Sequence, residues 1–128
     1  MKFPDHLKYT AEHLWVQITE VGLCYAGITD YAQDLLGDIV YVEAPHKGQK
    51  LEAGKPCGLV ESVKTGSDLH APLTGTVEAV NEALGQQPER INDDPYGSWI
   101  FSFRPEPSEA QDGLLDADGY QELLGEHQ

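Results

Sequence analysis

The stretch "GLVESVKTGSDLHAPLTG", residues 58–75, holds one amine where chemistry could be done on it. Lys64 stands between an alternating apolar run and the turn-forming residues Gly66, Ser67 and Asp68. It is one of six lysines in a chain of net charge −14, and Glu61 and Asp68 flank it. A tight turn between two strands presents its tip outward and fixes it in space. An amine held in this way suits acylation, which removes its charge and lengthens a flexible stem. The protein then supplies position, and the attached group supplies the chemistry.

The other reactive side chains assemble no catalytic set. There is no GxSxG elbow and no glycine-rich phosphate loop. Cys24 and Cys57 lie 33 residues apart with no CxxC pair, and the five histidines are scattered. That spacing argues against zinc and against thioredoxin-like redox chemistry. Each cysteine reads as a small buried hydrophobe, and His13 and His70 read as packing or surface residues. No catalytic residue and no metal ligand is assigned.

The elements that must position Lys64 follow from hydrophobic period. "LWVQIT" (14–19) alternates as a strand, "EVG" turns, and "LCYAGI" (23–28) returns. "TDYAQDLLG" predicts a short helix with a capping box between Asp30 and Gln33 and a stop at Gly37. "DIVYVEA" (38–44) is apolar on both phases, which predicts a strand buried on both faces. "GLVESV" (58–63) and "DLHA" (68–71) flank the lysine turn, and "GTVEAV" (75–80) alternates again. "NEALG" and "PERIN" are single helical turns. "SWIFSF" (98–103) is the last strand, with Trp99, Phe101 and Phe103 on one side, and Val60, Val77, Trp99 and Ile100 are expected in or near the core. "RPEPSE" is a stiff connector. Residues 116–126 form a C-terminal helix with Tyr120, Leu123 and Leu124 toward the core, despite Gly119. The sum is an all-β sandwich of residues 14–103 decorated by short helices, in a single domain, 1–128. A faint repeat, "APHKGQKLEAG" against "APLTGTVEAVNEALG", recurs at an offset of 27 residues. It suggests two similar halves with Lys64 near their seam.

Composition bounds the partners. With 128 residues and 40% hydrophobic content the chain can bury one core. Eight cations against 22 acids argue against nucleic acid and against anionic membrane surfaces. The acidity reads as solubility, or as a face that steers the domain to basic partners. No run approaches a membrane span or a targeting peptide. A cytoplasmic, monomeric protein with reduced thiols is expected.

"GLVESVKTGSDLHAPLTGTVEAVNEAL" resembles the lipoyl-attachment segment of the glycine cleavage system H-protein family. "LKYTAEHLWV", "GITDYAQDLLGDIVYVEAP", "LEAGKPCGLVESVK", "NDDPYGSWIFSFRP" and "LLDADGYQELL" are similar to family segments in family order, so six blocks along most of the chain agree. The resemblance implies a barrel-sandwich hybrid of two antiparallel sheets and a carrier rather than an enzyme. It implies lipoic acid in amide linkage to Lys64, with Glu61, Ser62, Val63 and Asp68 as surroundings of the attachment site. It further implies a lipoate ligase or lipoyl transferase, the glycine cleavage enzymes and dihydrolipoamide dehydrogenase as partners. The dithiolane of the arm accepts electrons or aminomethyl groups, and its tether makes each encounter effectively intramolecular.

Departures from the family pattern raise a second pathway. His13-Leu14-Trp15 replaces a common His-Glu-Trp, and Leu14 cannot balance an amine. Leu35 and Leu36 make the short helix apolar. Cys57 stands where an aromatic is common, Thr65-Gly66 where small apolar residues are common, and Cys24 in a strand usually free of cysteine. With His13, Leu14 and Leu35 lining the arm pocket, these changes favour a sulfur cargo. The chain then resembles the lipoate-binding proteins of sulfur oxidation, which work with a heterodisulfide-reductase-like complex; the glycine cleavage H protein is the alternative. A biotinyl carrier is disfavoured because Val63 and Thr65, not methionines, flank the lysine.

Overall fold

Period-two alternation in β2 (Leu14–Ile18) sends Leu14 and Val16 into one core and Trp15 into another. That division organises the whole molecule. The computed structural model describes residues 1–107 and 113–125. In chain order the remaining elements are β1 (Lys8–Tyr9), β3 (Cys24–Ile28), α1 (Asp30–Leu36), β4 (Ile39–Glu43), β5 (Lys50–Leu51), β6 (Pro56–Ser62), β7 (Gly66–His70), β8 (Gly75–Val80), α2 (Ala83–Gln86), α3 (Arg90–Asp93), β9 (Phe101–Pro105) and α4 (Ala117–Leu124).

The strands form two antiparallel sheets, one ordered β1-β2-β3-β9-β8-β5 and one ordered β4-β6-β7. This is the expected two-sheet architecture with short helices. The main core joins Leu14, Val16, Ala26 and Phe103 from the larger sheet to Val60 and Leu69 from the smaller, with Leu36 of α1. A second cluster packs Tyr9, Trp15, Ala117 and Tyr120, which brings α4 and the N-terminal segment over the other face of β2. Gly27 lies opposite Trp15 in the β2–β3 register. A Cβ there would sit 2.8 Å from the indole nitrogen, so only glycine lets the ring lie flat on the neighbouring strand. Among the described residues, no helix is long and apolar enough to cross a membrane.

Several sequence expectations need correction. β4 is not buried on both faces: Val40 and Tyr41 are 52% and 48% exposed, because β4 is an edge of the smaller sheet. β9 begins at Phe101, and Trp99 precedes it. Trp99 therefore escapes the strand's alternation and packs edge-on against Tyr25 in the second cluster, while Phe101 and Phe103 occupy the main core. The N-cap of α1 is Thr29, not Asp30: Thr29 Oγ1 accepts from the Ala32 amide at 3.2 Å. Asp30 and Gln33 do meet, but side chain to side chain. In α4, Tyr120 is fully buried and Leu124 packs on the second cluster, whereas Leu123 is 52% exposed. The helix starts after its Asp116 cap, and Glu126, its expected last residue, lies outside the described residues, as do 108–109 of the connector. The two repeat segments are not equivalent halves. One supplies the two-residue β5, the other the six-residue β8, and the two pair with each other in one sheet.

The packing predicts an order of mutational cost. Phe103→Ala should destabilise the fold by about 3–5 kcal/mol. Trp99→Ala, at a half-buried site, should cost less, about 1–3 kcal/mol. Urea denaturation of both variants checks the order, and equal costs would mean that Trp99 is as fully packed as Phe103.

Candidate functional site

β6 and β7 make an antiparallel hairpin in which Val60 faces Ser67 and Glu61 faces Gly66. The connecting turn, 63–65, has Lys64 exposed near its apex. Ser62 holds this turn from within. Its Oγ accepts from the amides of Lys64 and Thr65, both at 3.1 Å, and donates to the Thr65 carbonyl at 3.2 Å. The Ser62 amide donates to the same carbonyl at 2.8 Å. A short hydroxyl side chain suits this role because it can bond backbone groups two and three residues on. The Val63 amide donates to the Asp38 carbonyl at 3.0 Å, which ties the turn to the α1–β4 corner.

That corner is built by Gly37 and Asn92. Gly37 has φ +81°, and a Cβ on it would sit 3.1 Å from Lys64 Cε. Both conditions favour glycine. From α3, Asn92 donates through Nδ2 to the Gly37 carbonyl and to Gln33 Oε1, each at 2.9 Å, and its Oδ1 accepts from the Ile39 amide at 2.8 Å. The lysine stem therefore runs across a rigid corner rather than into open solvent. Glu61 and Asp68 are exposed on the hairpin. Among the described residues the ion pairs are Lys55–Glu52 and Arg104–Glu78, so Lys64 is bound to neither flanking acid. Val63 is 67% exposed and belongs to the surface of the tip.

Beside the hairpin lies an apolar cleft of about 100 Å³. Ile28, Ala32, Leu35, Leu36, Val60 and Leu69 line it, and Glu12, His13 and Ser67 are its polar members. Val60 and Ser67 are opposite each other on the hairpin that carries Lys64, so tip and cleft share one rigid element. Of the three residues expected in an arm pocket, His13 and Leu35 are there and Leu14 is not. Leu14 is 1% exposed in the main core, in register with Ile28 behind the cleft wall. The carboxylate at the cleft comes from Glu12, two residues earlier, which the sequence reading missed.

His13 adopts φ +71°, a left-handed conformation uncommon for a residue with a side chain. Its Nδ1 lies 2.8 Å from the Tyr120 hydroxyl, and its ring rests 5.1 Å from that of Tyr31. Burial pulls its pKa below the ordinary value, against a smaller upward pull from the Glu12 carboxylate. Burial pushes the Cys57 thiol up to about 11 and raises that of Cys24 as well. Both are therefore protonated and poorly nucleophilic at neutral pH. His70 sits at the far end of β7 with a buried Nδ1 that has no hydrogen-bond partner among the described residues. Among those residues, no group of three or more His, Cys, Asp or Glu could hold a metal.

Gly37 was legible as a helix stop but not as the floor under the lysine. Asn92 carried no signal, since one asparagine in "PERIN" does not reveal a contact more than fifty residues away in sequence. Replacing Asn92 by Ala leaves the Ile39 amide and the Gly37 carbonyl without their side-chain partner. It should cost about 1–3 kcal/mol, read from denaturant unfolding, and should increase amide hydrogen exchange at Ile39 and Val63. An unchanged midpoint would show that the corner holds without it.

A model of the family described as "Glycine cleavage H-protein" matches residues 7–127. The chain is 68% identical to the glycine cleavage system H protein of Methylobacillus flagellatus, over 98% of this chain and all of that one. It is 49% identical to the protein of the same name from Bacteroides thetaiotaomicron, over 97% and 98% of the two chains. Its structure is similar to the crystal structure of a glycine cleavage system H protein from Mycobacterium marinum, with a TM-score of 0.88 and 40% identity, covering 96% of this chain and 99% of that one. With sequence matching along almost its whole length and a shared two-sheet fold, this chain belongs to the glycine cleavage H-protein family.

Proposed function

We propose that this chain is the lipoyl carrier of glycine cleavage, with lipoic acid in amide linkage to Lys64. The observation that carries the reading is the shared hairpin. An exposed amine on a turn pinned by Ser62 stands on the same two strands that wall an apolar cleft. These residues fit such a group: the amine is free to be acylated, and the cleft offers apolar side chains to a hydrocarbon arm and its ring. When attached, lipoic acid supplies a cyclic disulfide that can accept electrons and a one-carbon amine unit.

The chain's own residues do the rest. Lys64 carries the arm, and Ser62 with the Asp38 carbonyl fixes the point from which it swings. Leu35, Leu36 and Leu69 shield a docked arm from water. Glu12 places a carboxylate where an ammonium-bearing cargo would otherwise be buried without a partner. The chain holds and presents the cargo; the bond-making falls to partner enzymes. A lipoate ligase or lipoyl transferase loads the arm, the glycine cleavage enzymes use it, and dihydrolipoamide dehydrogenase reoxidises it.

The sulfur-oxidation reading is withdrawn. The relatives carry the glycine cleavage name, and a heterodisulfide-reductase-like partner has no support among them. Its physical premise also fails, since the residue said to remove the acid from the arm pocket points into the core, and Glu12 lines the cleft.

Incubation with a lipoate ligase followed by peptide mapping should place the label on Lys64 alone. Label on Lys47, Lys50 or Lys55 with Lys64 untouched would refute the assignment. Lys64→Arg should abolish loading while changing stability by less than about 0.5 kcal/mol. Loaded protein should support glycine decarboxylation with the partner decarboxylase and aminomethyl transferase at the level of an ordinary H protein. Glu12→Gln should lower that activity by about two- to fivefold, the worth of a charge pair near solvent. Leu14→Glu should lower stability in this chain, because Leu14 is packed in its main core, and urea denaturation reads the loss.

A further inference from the structure

We propose that Tyr120, on the C-terminal helix α4, is a positioning residue that holds His13 on the cleft wall as a neutral imidazole with its proton on Nε2. Three groups form a line. His13 Nδ1 is 2.8 Å from the Tyr120 hydroxyl, and that hydroxyl is 2.8 Å from Thr29 Oγ1. Thr29 and Tyr120 are both 0% exposed, so water does not complete their hydrogen bonds. Thr29 Oγ1 also accepts from the Ala32 amide as the N-cap of α1.

Counting hydrogens fixes the direction of the line. Each hydroxyl has one hydrogen to give. If Thr29 donates to Tyr120 and Tyr120 donates to His13 Nδ1, every hydrogen in the line has an acceptor. His13 Nδ1 then carries no proton, and Nε2–H is the tautomer. In the reverse direction Nδ1–H donates to Tyr120 and Tyr120 donates to Thr29. The Thr29 hydrogen is then left without an acceptor among the described residues, inside the protein, which is unfavourable. A protonated His13 has hydrogen on both nitrogens and forces that reverse direction. The relay therefore opposes protonation in addition to burial.

The charged and titratable groups facing His13 are few. Glu12 in its own loop favours the cation, Tyr31 on α1 contributes its ring, and Tyr120 on α4 contributes its hydroxyl. Tyr120 is held neutral by its burial. The consequence for the cleft rests on the proposed glycine cleavage reading. A cleft that receives an ammonium-bearing cargo keeps its one carboxylate, Glu12, uncompensated only while His13 stays neutral. The C-terminal helix, more than a hundred residues away in sequence, thus sets the charge of the cleft.

Long-range nitrogen–proton NMR of the histidine rings in the full-length carrier tests this directly. The titration runs from about pH 5 to pH 8, the range in which imidazole changes charge. His13 in the unaltered protein should show the Nε2–H pattern with a midpoint below the ordinary histidine value. Tyr120→Phe keeps the ring and removes only the hydroxyl. It should admit the Nδ1–H tautomer and raise the His13 midpoint by about 0.5–1 pH unit, the size expected for one hydrogen bond. Thr29→Ser, which keeps the hydroxyl, should retain the Nε2–H form. An Nδ1–H pattern in the unaltered protein overturns the proposal, and that spectrum decides even if Tyr120→Phe fails to fold. An unchanged tautomer and midpoint in folded Tyr120→Phe overturns it as well. Aminomethyl loading of the lipoylated protein, measured in parallel at mildly acidic and neutral pH, separates the two claims. Absence of loading at either pH counts against the glycine cleavage reading and leaves the ring spectra standing. With the reading intact, Tyr120→Phe should lose loading selectively on the acidic side.

Discussion

The side-chain amide of Asn92 holds the corner on which the lysine turn rests. One residue on a four-residue helix satisfies the carbonyl of Gly37, the C-cap of α1, together with the first amide of β4 and the Gln33 side chain. Helix ends leave such groups without partners, and a buried end without a cap is unfavourable. Capping this one from α3 frees the chain to turn sharply at Gly37 and to offer the Asp38 carbonyl to the Val63 amide. The turn carrying Lys64 is thereby fixed to a second element, not only to its own hairpin. A two-stranded hairpin alone is marginally stable in water; this one is paired with β4 on one side and pinned at its tip.

The second constraint is the division of β2 between two cores. Leu14 and Val16 must face the smaller sheet, so Trp15 must face away, and a large aromatic facing away needs a cover. Tyr9, Tyr120 and Ala117 provide it, with the Tyr9 and Tyr120 rings stacked at 4.9 Å. Covering Trp15 brings α4 beside the loop that precedes β2. That loop contains Glu12 and His13. The cleft's two ionisable residues are therefore set in place by packing on the opposite face of the larger sheet, and His13 is held at a positive φ by its own two backbone bonds: its amide donates to the Thr10 carbonyl, and its carbonyl accepts from the Thr29 amide.

Local pattern was enough where one contact partner was near in sequence. The hairpin around Lys64, the β2–β3 pair and β8 follow from alternation and turn chemistry, and the predicted and observed ranges differ by a residue or two. Pattern failed where exposure depends on position within a sheet. "DIVYVEA" reads as fully buried, yet β4 is an edge strand with Val40 and Tyr41 in solvent. It failed again where alternation is broken: Ile100 and Phe101 are adjacent and both enter the main core, which leaves Trp99 to the other cluster. The exposed amine at the hairpin tip was legible, and two of the residues expected beside it, His13 and Leu35, do line the adjoining cleft. The reading of Leu14 erred because a single residue of phase decides between core and cleft along a strand. Glu12 lies just outside β2, where the strand's alternation no longer dictates which way a side chain turns.

If the cleft receives the arm as proposed, it must hold the cargo weakly, and its geometry is suited to that. In the proposed carrier reading, a tether at Lys64 would present the arm to the cleft at an effective concentration of about millimolar. A docking constant near 1 mM, equivalent to about 4 kcal/mol, then leaves the arm docked about half of the time. The cleft is small, Leu35 on its wall is 56% exposed, and Glu12 lies near solvent, so contacts are limited in number and partly screened. A deeper pocket would sequester the arm from the enzymes that must reach it, whereas none at all would leave a reactive cargo in water. Ser62 and Asn92 add the complementary rigidity: they fix the turn that carries Lys64, so that in the proposed reading the arm, not the hairpin, would do the moving.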